Sequence, residues 1–146
     1  MLGLIQRVSS ASVVVDGQII GAIDQGILLM LGVQKTDDES LIEKLVKKVF
    51  AYRIFGDEKG HMNLSLTDVN GGLLIVPQFT IAASTKKGLR PSFSSAAAPE
   101  IAKKIYDQFV AEARLAHPNV ATGKFGADMK VSLLNDGPVT FMLEAN

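Results

Sequence analysis

Apolar and polar residues alternate along much of the first third of the chain, and a two-residue period predicts antiparallel strands. Ser12–Val15 and Gln18–Ile20 flank Asp16-Gly17. That dipeptide suits the positive φ angles of a type I′ turn, so a hairpin is expected there. Gly26 through Leu31 reads as a further apolar strand. The period then lengthens. Leu41, Leu45, Val46 and Val49 share one face of a helix from about Ser40 to Phe50, and Glu43, Lys44, Lys47 and Lys48 occupy the other. Asp37-Asp38-Glu39 supplies its capping and first-turn acids. Ala51–Phe55 reads as a strand, Gly56 to Gly60 as a loop, and Leu73–Val76 as a short buried strand.

A second helix is predicted from Glu100 to about Ala116. Pro99 suits its first turn, Pro118 stops it, and Ile101, Ile105, Phe109 and Val110 form its core stripe. Near the end, Asn135-Asp136-Gly137-Pro138-Val139-Thr140 separates the apolar runs Val131–Leu134 and Phe141–Leu143. Read locally, Asp136-Gly137 is a two-residue turn and Pro138 opens the last strand of a hairpin. Many strands and two main helices make an α+β fold with a curved, barrel-like antiparallel sheet.

With 146 residues, 47% of them hydrophobic, the chain is the size of one domain spanning 1–146 and long enough to bury a core. It has no cysteine, which removes disulfides, thiolate metal sites and cysteine nucleophiles and fits a reducing, cytoplasmic setting. The apolar start Met1–Ile5 is interrupted by Gln6 and Arg7, too early for a signal peptide or a membrane span. Lys plus Arg and Asp plus Glu number 15 each, so no global basic field marks a nucleic-acid partner. Local clusters remain: Lys86, Lys87 and Arg90, then Lys103-Lys104 and Lys124, are candidates for phosphate contacts or simply a solvated surface.

Nucleophile and base options are few. His61 and His117 are the only histidines, and no Gly-x-Ser-x-Gly elbow accompanies them. Two distant histidines without ligand-spaced carboxylates lack the usual three protein ligands of a catalytic metal, so no metal site is expected. Val76-Pro77-Gln78-Phe79-Thr80-Ile81 ends an apolar run in a polar Gln-x-Thr pair, and Gly88-Leu89-Arg90-Pro91-Ser92-Phe93 follows closely. Taken alone, Thr80 is a strand residue, a nucleophile or a positioning hydroxyl.

Together these segments resemble the two signatures of the D-aminoacyl-tRNA deacylases, a Ser-Gln-x-Thr-Leu-like run and an Asn-x-Gly-Pro-x-Thr run. The likeness takes in Gln6-Arg7-Val8, Gly60-His61-Met62-Asn63-Leu64 and Thr122-Gly123-Lys124-Phe125-Gly126-Ala127-Asp128-Met129. It departs at Pro77, where the family usually has Ser, and at Ile81, where Leu is usual. The proline removes a hydroxyl and an N–H together. The resemblance implies hydrolysis of D-aminoacyl-tRNA, and of glycyl-tRNA, without a cofactor. It puts Gln78, Phe79 and Thr80 at the ester, with an RNA 2′-hydroxyl as a possible helper. It also implies a cis Gly137-Pro138 step, held by Arg7, whose carbonyls enter the partner subunit's site in a homodimer and reject L-amino acids. X-Pro bonds are otherwise mostly trans. The other readings of the chain are a tRNA-end or nucleotide-binding module that has lost hydrolysis, and a small-molecule esterase.

Overall fold

The computed structural model describes residues 1–146. Three strands come first: β1 (Leu2–Val15), β2 (Gln18–Ile23) and β3 (Gly26–Gly32). The expected hairpin joins β1 to β2, with positive φ at Asp16 (49°) and Gly17 (77°). Then follow α1 (Ser40–Ala51), β4 (Phe55–Gly56), β5 (Met62–Leu64), α2 (Leu66–Val69) and β6 (Gly72–Pro77). A 3-10 turn over Phe79–Ala82 leads by a long loop to α3 (Pro99–Ala116), β7 (Val120–Thr122) and β8 (Lys130–Glu144).

The α+β class is as expected, but the sheet is mixed. Strand β1 pairs antiparallel with β2, β3 and β8, whereas β3 with β6 and β6 with β7 are parallel. A parallel pair needs a crossover, and α1 with the β4–β5 ribbon and α2 supplies it between β3 and β6. Parallel strands sit covered on both faces, so β3 and β6 are continuous apolar runs. Ile27, Leu29, Leu31, Leu73 and Ile75 join the large core under α1 and α3, while Leu28, Leu74 and Val76 join Val8, Ala11, Val13 and Ile23 on the opposite face. The sheet curls until β2 nearly meets β7: a Cβ added to Gly21 would lie 2.5 Å from the Thr122 carbonyl oxygen. A side chain there would hold the barrel open.

Several local expectations change. Residues 51–55 are not a strand, because α1 continues through Ala51 and only Phe55–Gly56 pairs, with β5. Asp37 does not cap α1. Its carboxylate accepts hydrogen bonds from the Met1 amino group (2.7 Å) and the Gln34 N–H (2.7 Å), and Asp38 instead accepts from the Ser40 N–H at 2.8 Å. Ile101 is 55% exposed. The core stripe of α3 is Ala102, Ile105, Tyr106, Phe109, Val110 and Ala113, and one residue back along a helix rotates a side chain about 100° off that stripe. No helix is long and apolar enough to cross a membrane.

The largest difference lies in β8. No hairpin forms at Asp136-Gly137, and β8 runs as one strand against β1 from Val14↔Lys130 to Leu2↔Glu144. Strand β1 is long enough to pair both apolar runs, so the local turn signal yields to the ladder. The surplus residues are extruded as a bulge: register passes from Val8↔Asn135 to Gln6↔Thr140, which leaves Asp136, Gly137, Pro138 and Val139 opposite Arg7 alone.

Candidate functional site

Two structures deserve attention in chemical terms: the turn that follows β6 and the bulge of β8. Strand β6 ends at Pro77 for a definable reason. The Gly123 N–H donates to the Ile75 carbonyl at 2.8 Å, and the next rung of that parallel ladder would need the N–H that proline lacks. On its other side β6 still holds β3, since the Gln78 N–H donates to the Leu31 carbonyl at 2.8 Å. The chain then tightens into the 3-10 turn, with Ile81 N–H to Gln78 carbonyl at 3.3 Å and Ala83 N–H to Thr80 carbonyl at 3.1 Å. Phe79 and Thr80 open this turn, where N–H groups have no partner within the helix and are free to meet a developing oxyanion.

The Gln78 side-chain amide donates to the Thr80 hydroxyl, so Gln78 orients Thr80 and does not take its proton. Phe79 is 58% exposed and its ring lies 5.1 Å from that of Phe93. A cleft of about 240 Å³ opens beside the turn, lined by Leu31, Pro77, Gln78, Phe79, Tyr106 and Phe125 among others. Its one titratable lining group is Tyr106, whose hydroxyl donates to the Ile75 carbonyl at 3.2 Å and is pushed up to about 12 by burial. Tyr106 therefore stays protonated across the working pH range. The wall offers apolar surface and hydrogen-bond donors but no base, which suits binding and polarising a carbonyl more than activating a serine-type nucleophile.

The histidines form no catalytic pair with Thr80. His117 is buried at the end of α3, with Nε2 2.6 Å from the Gly71 carbonyl and its ring 5.1 Å from Phe50. His61 is exposed in the loop before β5. No group of three His, Asp or Glu side chains is arranged to hold a metal ion.

The bulge is anchored from both sides. Arg7 Nε donates to the Asp136 carbonyl at 2.8 Å, and another guanidinium nitrogen donates to the Ile54 carbonyl at 2.7 Å. Asn135 closes the base: its Oδ1 accepts from the Val139 N–H at 2.8 Å and its Nδ2 donates to the Thr140 hydroxyl at 3.0 Å. Val139 alone of the bulge is buried, so it pins the loop while Gly137 and Pro138 stay exposed. The Gly137-Pro138 peptide is cis, and Gly137 has φ 142° with an added Cβ only 2.6 Å from Val139, so glycine is required there.

Within one chain the two features stay apart. Arg7 and Asp136 line a separate surface cleft with Gln25, Phe55, Gly56, Gly60 and Met62, which shares no residue with the cleft at Gln78. Lys86, Lys87 and Arg90 are exposed in a loop closed by the Ser84↔Ser92 bridge, next to Phe93 and so near Phe79. Sequence reasoning did not single out Asn135, Tyr106 or Phe125 as site groups. The Asn before Asp-Gly-Pro was the legible signal for the first, while the other two look like ordinary core aromatics until α3 and the loop after β7 are brought together.

Comparison with known proteins places this geometry among relatives. A family model described as D-Tyr-tRNA(Tyr) deacylase matches residues 4–144. A protein of Cellvibrio japonicus (strain Ueda107) named D-aminoacyl-tRNA deacylase is 63% identical over 144 residues, covering 99% of each chain. One of the same name from Teredinibacter turnerae (strain ATCC 39867 / T7901) is 61% identical, covering 97% of this chain and 98% of that one. A solved structure titled c-Myc DNA Unwinding Element Binding Protein matches with TM-score 0.96 at 39% identity, covering 100% of this chain and 99% of that one.

Proposed function

The chain belongs to the D-Tyr-tRNA(Tyr) deacylase family, and from that membership we propose that it hydrolyses the ester of D-aminoacyl-tRNA, releasing tRNA and the D-amino acid. The observation that carries this is the family match over residues 4–144, which includes both the turn after β6 and the bulge of β8. An aminoacyl ester is already activated, so positioning and polarisation account for most of the chemistry. Water adds to the carbonyl carbon, the C–O bond to ribose breaks, and the 3′ oxygen leaves with a proton. The Phe79 and Thr80 N–H groups stabilise the tetrahedral oxyanion, Thr80 positions the reacting groups, and the RNA 2′-hydroxyl assists. The baseless wall of the cleft supports this reading over a covalent Thr80. The terminal adenine occupies the apolar cleft against Phe79.

Chirality is read by the Gly137-Pro138 carbonyls of a second subunit, which exclude an L substituent without touching the side chain. Glycyl-tRNA passes the same filter. The separation of the bulge from the same chain's Gln78 cleft supports a filter supplied across a homodimer, and so does β8. That strand pairs only with β1, leaves its outer edge free, and exposes Leu134, Phe141 and Met142. Lys86, Lys87 and Arg90 are placed to meet tRNA phosphates near Phe79. The substrate sets the location as the cytoplasm. Purified protein should cleave D-tyrosyl-tRNA and spare L-tyrosyl-tRNA under the same conditions. Equal turnover of the two would overturn the chiral reading. A second reading, nucleic-acid binding without hydrolysis, has Pro77 and the name of the 39% identical relative in its favour. A stoichiometric tRNA complex with no turnover would establish it.

A further inference from the structure

Formal charge over the whole chain is zero, yet the surface beside the Gln78 cleft is not neutral. A second cleft, about 510 Å³, lies between α3 and the loop after β7, and its lining includes Lys103, Arg114 and Lys124 with Asp107 as the one carboxylate. Lys103 is held by Asp107 at 2.6 Å, an exposed pair one helical turn apart. Arg114 and Lys124 stand in none of the ion pairs the fold makes, so no carboxylate holds either charge in the way that Glu43, Glu39 and Asp128 hold Lys47, Lys104 and Lys130. Arg114 sits close enough to Tyr106 for its charge to oppose the upward push on that hydroxyl.

Position gives this charge its meaning. The basic cleft and the Gln78 cleft share Tyr106 and Phe125, whose rings lie 5.9 Å apart and form the ridge between them. A strand of RNA whose terminal nucleoside fills the apolar cleft has to leave it with a phosphate, and the ridge leads to two unpaired cations. Resting on the deacylase reading, we propose that the cleft of Lys103, Arg114 and Lys124 binds the backbone phosphates immediately 5′ of the terminal adenosine, so that the single-stranded 3′ end of tRNA crosses the Tyr106–Phe125 ridge. Lys124 is set for this by its own backbone, because its N–H packs on the Met129 sulfur at 3.4 Å and fixes the loop from which its side chain extends. The neutral overall charge then makes binding local, with few ionic contacts and no long basic track.

The test is the salt dependence of binding of a short labelled single-stranded RNA ending in C-C-A, followed by fluorescence anisotropy. Removing two phosphate contacts should make the slope of log affinity against log salt shallower by about 1.4, at roughly 0.7 per contact for a single strand. Arg114→Gln with Lys124→Gln, two exposed positions that carry no core packing, is expected to show that change and about tenfold weaker binding at low salt. Lys47→Gln with Lys59→Gln removes the same charge elsewhere and should keep the wild-type slope. The proposal is overturned if wild type does not bind the RNA, if the first double variant keeps the wild-type slope, or if the second loses as much. Hydrolysis of D-tyrosyl-tRNA by wild type is measured separately. Its absence would count against the deacylase reading while leaving the binding result to decide the cleft.

Discussion

Arg7 is the most economical place to probe the bulge, because a single side chain stands opposite four extruded residues and ties them to the β4 side of the molecule. Arg7→Met keeps the length of the stem and deletes both charged hydrogen bonds. The side chain is only 16% exposed, and its two acceptors differ: the Ile54 bond is half-buried and the Asp136 bond faces solvent. A hydrogen bond from a charged group contributes about 1.5–3 kcal/mol, so the half-buried bond is taken at about 2 and the exposed one at about 1. The Arg7–Asp136 carboxylate pair, at 3.9 Å with Asp136 56% exposed, adds little. The expected loss is then about 3 kcal/mol, or a fall of about 1.5 M in the urea midpoint with a slope near 2 kcal/mol/M. Protein concentration must be fixed, since the proposed homodimer would make stability depend on it. With the bulge released, cleavage of L-tyrosyl-tRNA should rise relative to the D ester. Arg7→Lys, which serves one carbonyl but not both, should fall between. A midpoint within about 0.3 M of wild type together with an unchanged D-to-L ratio would refute the claim that Arg7 holds the filter.

Two further substitutions separate positioning from covalent chemistry and fix the role of Tyr106. Thr80→Ala keeps the backbone N–H and removes only the positioning hydroxyl, so single-turnover hydrolysis should fall by about 100-fold or less and not by the roughly million-fold of a lost nucleophile. An acyl group trapped on Thr80, with normal rates on a substrate ending in 2′-deoxyribose, would restore the nucleophile reading. Tyr106→Phe should cost about 1 kcal/mol through the lost bond to the Ile75 carbonyl. Because burial raises the folded Tyr106 from 10.0 to about 12, its contribution is complete below pH 10 and fades as pH rises toward 12. Thermal melts should show an alkaline fall in wild type that is smaller in Tyr106→Phe, and equal falls would sink the assignment.

Much of this molecule was decided by short-range pattern. The Asp16-Gly17 turn, the apolar faces of α1 and α3, the helix start at Pro99 and its stop before Pro118 depend on φ preferences and periodicity, which neighbours a few residues away determine. The Gln78-Phe79-Thr80 and Gly137-Pro138 segments were visible in the sequence as interruptions of apolar runs, a polar Gln-x-Thr pair after one and a Gly-Pro step within another, while the tasks proposed for them came from the family resemblance and not from local pattern. Long-range pairing decided the rest. Whether Asp136-Gly137 turns the chain or bulges from it depends on whether β1 is long enough to hold both flanking runs, and that is a property of a segment more than a hundred residues away. The parallel pairing of β3 with β6 follows from a crossover whose handedness and packing no local window contains. Arg7 gains its role because β1 lies between the bulge and the Ile54 carbonyl, and Tyr106 and Phe125 become a ridge only where α3 meets the loop after β7. Side-chain identity set what each residue can do; the ladder and the packing of α3 set which of them meet.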